Sequence, residues 1–108
     1  MSYMSRMPKK AELEALPEAT ANVSGFTLKE LMAGGKHVAT RWAYLGIYTG
    51  MEMGGSLTGV SKLFDRIPAS GFQGVQRVKL GIKSSDSNLK ELSDDIRKEA
   101  VALAEKRK

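Results

Sequence analysis

Few residues in this chain have the types and spacing that covalent or metal chemistry requires. The chain has no cysteine and a single histidine, His37, which excludes thiolate chemistry and leaves too few ligands for a metal site. Neither the Gly-x-Ser-x-Gly elbow nor the Gly-x-x-x-x-Gly-Lys-Ser/Thr phosphate loop occurs. Glu52 stands out as the only charged side chain between Arg41 and Lys62. A lone carboxylate is not a proton relay, so the sequence predicts a protein that is not an enzyme.

The segment around Glu52 has the length and polarity of a membrane span. As a helix with a rise of ~1.5 Å per residue, residues 42–61 extend ~30 Å, which matches the hydrocarbon core of a bilayer. A carboxylate at the midpoint costs ~2.5–3.5 kcal/mol on insertion scales. We therefore expect Glu52 to be an intramembrane acid that meets a basic or hydroxyl-bearing partner. Pro68 is expected to end the helix. Suitable interfacial anchors flank the segment: Arg41, Trp42, Lys62 and Arg66.

Glycines recur along the same segment at intervals that favour helix pairing. An interior glycine destabilises a helix in water by ~1 kcal/mol relative to alanine, whereas in a bilayer small residues let two helix backbones approach closely. The predicted helix-pairing residues are Gly46, Gly50, Gly54, Gly55 and Gly59. By helical angle, Gly50 and Gly54 lie opposite Glu52, so the helix is expected to have two contact faces. A glycine-rich loop in a soluble domain is the alternative.

The rest of the chain divides around this segment. Residues 27–30 (TLKE) form a capping box that begins a helix. A seam of Leu89, Leu92, Ile96 and Leu103 has near-heptad spacing, and we expect it to pack on another subunit. The predicted class is an all-α membrane protein with one transmembrane helix. Its segments are an N-terminal arm (1–25), a capped helix entry and transmembrane helix (26–66), an irregular basic arm (67–86) and a C-terminal amphipathic helix (87–108).

The positive net charge is typical of proteins that bind nucleic acid or an anionic membrane surface, and it can also serve solubility alone. The formal charge is +5 and the pI is about 9.6. The chain has only seven aromatic residues, Trp, Tyr and Phe together, which argues against nucleic acid because single strands are bound by stacking on aromatic side chains. Besides the other subunits of a membrane complex, anionic lipid headgroups are an expected partner, with bound cardiolipin as a candidate cofactor. A solvated or protein-bound basic arm is the alternative. The predicted lipid contacts are Arg41, Trp42, Lys62, Arg66, Arg77 and Lys79, with Lys83 beyond them.

Several of these motifs occur in one order that resembles a known family. Residues 26–30 (FTLKE), 38–40 (VAT) and 50–54 (GMEMG), with Tyr48 between the last two, resemble subunit g of the mitochondrial ATP synthase. The resemblance covers about a third of the chain. It implies a single span whose Gly50 and Gly54 pair with a helix of subunit e, with Glu52 as the intramembrane acid.

The resemblance also implies a function. The protein would be a non-catalytic accessory subunit of the synthase membrane sector in the mitochondrial inner membrane. There it would support dimerisation of the synthase and the shape of the cristae. Two alternatives stay open. One is a single-span subunit of a respiratory-chain complex or a cristae-organising protein. The other is a small soluble basic helical protein that binds RNA.

Overall fold

The computed structural model describes residues 10–33, 37–84 and 87–107, with the backbone alone for Ser87. Helices account for 85% of this part of the chain, so the all-α part of the predicted class agrees with the structure. In chain order the helices are α1 (Lys10–Glu14), α2 (Leu16–Ser24), α3 (Leu28–Ala33), α4 (His37–Glu52), α5 (Leu57–Leu63), α6 (Pro68–Lys83) and α7 (Ser87–Lys106).

The predicted transmembrane helix over residues 42–61 is wrong. Helix α4 ends at Glu52, and a turn leads into α5. Across the described ranges, none of the helices combines the length and the apolar character that crossing a bilayer demands. The physical reason lies in the glycines, since Gly54 adopts a φ of +102°, a left-handed conformation that ends helices at low cost. Ser56 then caps α5 by accepting a hydrogen bond from the Gly59 N–H at 3.0 Å.

The expected irregular arm after this segment is also wrong. Pro68 begins helix α6 instead of ending a helix. The first helical position needs no N–H donor, and the φ angle of proline already suits the helix there. Helix α6 continues to Lys83, so most of residues 67–86 is helical.

Helix α4 lies at the centre of the molecule, where it packs against α2, α3, α5, α6 and α7. The largest fully buried side chains come from several helices, so the core is shared among them. They include Leu16, Leu31, Ile47, Phe64 and Ile96. Helix α7 begins at the predicted Ser87 and ends at Lys106, and its seam packs on α2 and α4 of the same chain. We expected a second subunit to cover that seam.

Two of the predicted helix-pairing glycines do bring helices together, within this chain. A Cβ on Gly46 would overlap the ring of Phe64, the residue that follows α5, and would lie 2.6 Å from the Thr20 hydroxyl in α2. A Cβ on Gly50 would lie 2.6 Å from Val60 and 2.7 Å from Leu16. The close approach that we expected between two membrane helices therefore serves the contacts of α4 with α2 and α5.

Candidate functional site

A cationic cleft lies between α4 and α6. Its volume is about 280 Å³. Arg41 from α4 and Arg77 from α6 line it together with His37, and none of the described residues that line it is acidic. We call this group of nine residues the cationic cleft; its lining is His37, Thr40, Arg41, Tyr44, Gly74, Arg77, Val78, Gly81 and Leu89.

Helical spacing places these residues on facing sides of the two helices. In α4 the lining residues lie three or four positions apart, except for the adjacent Thr40 and Arg41, and this is the spacing of one helix face. The same spacing relates Gly74, Arg77 and Gly81 in α6. A Cβ on Gly74 would overlap the Tyr44 ring, and one on Gly81 would lie 2.5 Å from Leu89. The missing side chains let α6 approach its neighbours, and this approach sets the width of the cleft.

The two cleft arginines differ from the other arginines that the structure describes. Arg66, Arg97 and Arg107 each have a hydrogen-bonded or ionic partner. Within residues 10–33, 37–84 and 87–107, Arg41 and Arg77 have neither. The unpaired positive charge of the arginines is therefore concentrated at the cleft.

An apolar groove adjoins the cationic cleft on the side of α7. Its volume is about 220 Å³, and it shares Arg41 and Leu89 with the cleft. The groove is otherwise formed mainly by carbon surface, from Val38, Trp42, Leu45 and Leu92, with Asn88 at its edge. A cationic site and an apolar site therefore lie side by side.

The side of α6 that faces away from the core is basic and partly apolar. Phe72 is 52% exposed and Leu80 is 65% exposed, and Lys79 and Lys83 lie on the same side of the helix. Residues 66–85 contain no acidic residue. We call Phe72, Gln76, Lys79, Leu80 and Lys83 the outer face of α6.

Arg66, a predicted lipid contact, is directed into the protein. Its guanidinium donates hydrogen bonds of 3.0 Å to each of the carbonyl oxygens of Leu31 and Met32, in the last turn of α3, and of 2.9 Å to that of Phe64. Its Cζ also lies 6.0 Å from the centre of the Tyr44 ring, which is within range of a cation–π contact. Arg66 thus caps α3 and holds it against the core.

The remaining predicted lipid contacts are distributed over the surface. Lys62 is exposed on α5, Lys79 belongs to the outer face of α6, and Trp42 is half-buried in the wall of the apolar groove. Of these predicted contacts, only Arg41 and Arg77 line the cationic cleft. The three- and four-residue spacing along α4 and α6 indicates which residues share one face of each helix. It does not indicate that these two helices pack together.

Glu52 is the exposed last residue of α4 instead of the midpoint of a span. Its neighbourhood includes Tyr48, Lys90, Asp94 and Arg97. Burial raises the pKa of Tyr48 above its usual 10.0, and the Glu52 carboxylate raises it further through its charge and a hydrogen bond, with a smaller effect from Asp94. A tyrosine held in its neutral form in this way is a poor general base at neutral pH.

Gly54, Gly55 and Gly59, the other predicted helix-pairing residues, lie at or after the turn that ends α4. Gly54 and Gly59 are exposed, whereas a Cβ on Gly55 would lie 2.7 Å from Val60. These three glycines therefore shape the connection between α4 and α5.

The described residues form a small bundle of helices with a cationic cleft between α4 and α6. Comparisons of the chain with protein-family models, curated proteins and solved structures found no match.

Proposed function

We propose that this protein is a non-catalytic module that attaches to an anionic lipid surface through the outer face of α6. The observation that carries the proposal is the combination on one helix face of exposed Phe72 and Leu80 with Lys79 and Lys83. The absence of any acidic residue from 66 to 85 leaves that charge uncompensated along the sequence.

Each part of this face has a physical role at a lipid surface. Large apolar side chains enter the boundary between headgroups and acyl chains, and lysines beside them remain among the headgroups. Each cation near an anionic bilayer contributes about 1 kcal/mol. Arg77 lies on the flank of the same helix that borders the cationic cleft, so the outer face itself carries two cations, Lys79 and Lys83.

A lipid surface explains this face better than a single-stranded nucleic acid. Nucleic-acid grooves stack successive bases on several aromatic side chains. Phe72 is the only exposed aromatic side chain in the part of the chain that the structure describes. Leu80 beside it has no stacking role, but it adds apolar area that a bilayer can bury.

The role of a synthase subunit, which the resemblance implies, is not part of this proposal. That role requires a spanning helix that pairs through Gly50 with another chain. In the structure Gly50 already faces Val60 and Leu16 of its own chain. Anionic lipid is still the proposed partner, but the protein contacts it peripherally instead of through a spanning helix.

Vesicle co-sedimentation tests the proposal. We expect the full chain to bind vesicles that contain phosphatidylserine or cardiolipin and to leave neutral phosphatidylcholine vesicles in solution. The double variant Lys79→Glu/Lys83→Glu should weaken binding on the order of tenfold or more, because two attractive charges become repulsive. Phe72→Ser/Leu80→Ser should also weaken binding, with little change in net charge.

The matched control is Lys98→Glu/Lys106→Glu, which makes the same change in net charge at exposed positions on α7. It should lose much less affinity than the α6 variant. Equal losses would show attraction by net charge alone and would overturn the proposal. Tight binding to RNA or to an acidic polypeptide, without binding to anionic vesicles, would also overturn it.

A further inference from the structure

We propose that the cationic cleft is a phosphate-binding site for a phosphomonoester, either a lipid headgroup or a free phosphate ester. This inference deepens the proposed function, and its lipid form rests on that function. Arg77 connects the two, because it lines the cleft while belonging to the helix that carries the outer face.

The donor set of the cleft fits a phosphate. The planar guanidinium of arginine matches two phosphate oxygens at once, which makes arginine the preferred residue for such recognition. Arg41 and Arg77 reach the cleft from different helices and have no ionic or hydrogen-bonded partner in the described ranges. A bound dianion would neutralise both charges and satisfy their donors.

Two further side chains add donors to the same space. His37 supplies an imidazole N–H at the amino-terminal end of α4. The Thr40 hydroxyl oxygen is buried and has no hydrogen-bond partner in the described part of the chain. Threonine in a helix has two accessible χ1 rotamers, so this hydroxyl can turn towards the cleft without a change in the backbone.

The size of the cleft limits the ligand. Pockets for drug-sized ligands have volumes of about 300–1,000 Å³, and the cleft, at about 280 Å³, is just below that range. A phosphate ester of a short polyol fits better than a nucleotide. The adjoining apolar groove shares Arg41 and Leu89 with the cleft, so an apolar group attached to the ester can continue into it.

The test uses glycerol 3-phosphate as the free ester and vesicles with phosphatidic acid, a lipid phosphomonoester, as the membrane form. Calorimetric titration of the full chain should detect glycerol 3-phosphate binding, and chemical-shift changes should cluster at residues of α4 and α6. Arg41→Gln and Arg77→Gln should each weaken that binding on the order of tenfold, because each removes a charged bidentate donor. Arg41→Lys should recover only part of it.

Arg97→Gln is the matched control, since it makes the same charge change at an exposed residue that pairs with Asp94 on its own helix. It should leave glycerol 3-phosphate binding unchanged. Circular dichroism and thermal unfolding of each variant show whether it is folded. Equal binding by the wild type, Arg41→Gln and Arg77→Gln would overturn the inference, and so would the absence of binding to glycerol 3-phosphate.

The two proposals fail in different ways. If vesicle binding depends on Lys79 and Lys83 but glycerol 3-phosphate does not bind, the phosphate site is wrong and the membrane attachment stands. If glycerol 3-phosphate binds through Arg41 and Arg77 but no anionic vesicle is bound, the site stands as a receptor for a free ester. Membrane attachment then fails. Preference for phosphatidic acid over phosphatidylserine vesicles, lost in Arg41→Gln, supports the lipid form of the site.

Discussion

The hydroxyl oxygens of Thr49 and Ser93 lie 2.6 Å apart in the buried contact between α4 and α7. The Thr49 hydroxyl also donates to the carbonyl oxygen of Leu45 at 2.8 Å. Because a hydroxyl has one proton to donate, Ser93 must be the donor to Thr49. The two residues are 44 positions apart in the chain, so the bond fixes how α7 sits on α4.

This direction of donation predicts unequal effects of removing the two hydroxyls. Thr49→Val leaves the Ser93 hydroxyl, in a residue that is 6% exposed, without its acceptor, which should lower the free energy of unfolding by roughly 1–3 kcal/mol. Ser93→Ala leaves Thr49 bonded to Leu45 and should cost about 1 kcal/mol or less. Urea denaturation measures both. In the double variant the loss should be smaller than the sum, and equal losses from the single variants would contradict the assignment.

Gly74 is predicted to tolerate no side chain because the Tyr44 ring lies against its Cα. Truncation of Tyr44 should remove this restriction. Gly74→Ala places a Cβ against the near edge of the Tyr44 ring, and such overpacking costs about 1–3 kcal/mol. In a Tyr44→Ala background the Cγ and Cδ atoms that this Cβ would meet are gone. The same Gly74→Ala change should then stabilise the protein by up to about 1 kcal/mol, because alanine favours a helix over glycine. Thermal unfolding of the four proteins in this cycle measures the change of sign, and its absence would refute the contact.

Arg66 is predicted to hold α3 through its three carbonyl contacts. Arg66→Ala should lower the free energy of unfolding by about 1–3 kcal/mol, because hydrogen bonds to a charged group are the stronger ones. Lysine cannot reproduce the planar fork, so Arg66→Lys should recover only part of the loss. Hydrogen exchange should show faster exchange in α3 for both variants. The exposed Lys62 provides the control, since Lys62→Ala should leave the exchange of α3 unchanged.

Tyr48 is predicted to make stability depend on pH at the alkaline end. Burial, then the charge of Glu52, raise its pKa above 10.0 in the folded state, so folding favours the neutral phenol. This contribution is complete below the unfolded-state pKa and is lost as pH rises above about 10 through the folded-state pKa. The stability advantage of the wild type over Tyr48→Phe should therefore fall above pH of about 10. Ultraviolet titration should show Tyr48 ionising later in the wild type than in Glu52→Gln. An unchanged midpoint would argue against the Glu52 contribution.

Local signals in the sequence describe some elements well. The capping box is present, with the Thr27 N–H donating to Glu30 at 3.0 Å and the Glu30 N–H donating to the Thr27 hydroxyl at 3.1 Å. Helix α7 begins at Ser87, as expected, and has Ile96 at its buried centre. Both features depend on residues that are close in sequence, which is why pattern reasoning finds them.

The membrane span fails because one observation had two physical explanations. Dense glycine in an apolar segment suits close helix packing in a bilayer, but it equally suits a turn and close packing inside one chain. Gly54 lies in that turn with a positive φ, and Gly46 takes part in the internal packing. Only the position of α2 and α5 against α4 decides between the explanations.

The sequence by itself determined the helical class, the excess of positive charge and the absence of cysteine chemistry, because these follow from composition and short-range spacing. It also identified Arg41 and Arg77 as candidates for binding anionic groups. Only the tertiary structure decided that these two arginines meet at one cleft while Arg66 turns inward to cap α3. The reason is that this selection depends on the pairing of α4 with α6, and that pairing is set by contacts between residues far apart in the chain, such as Tyr44 with Gly74.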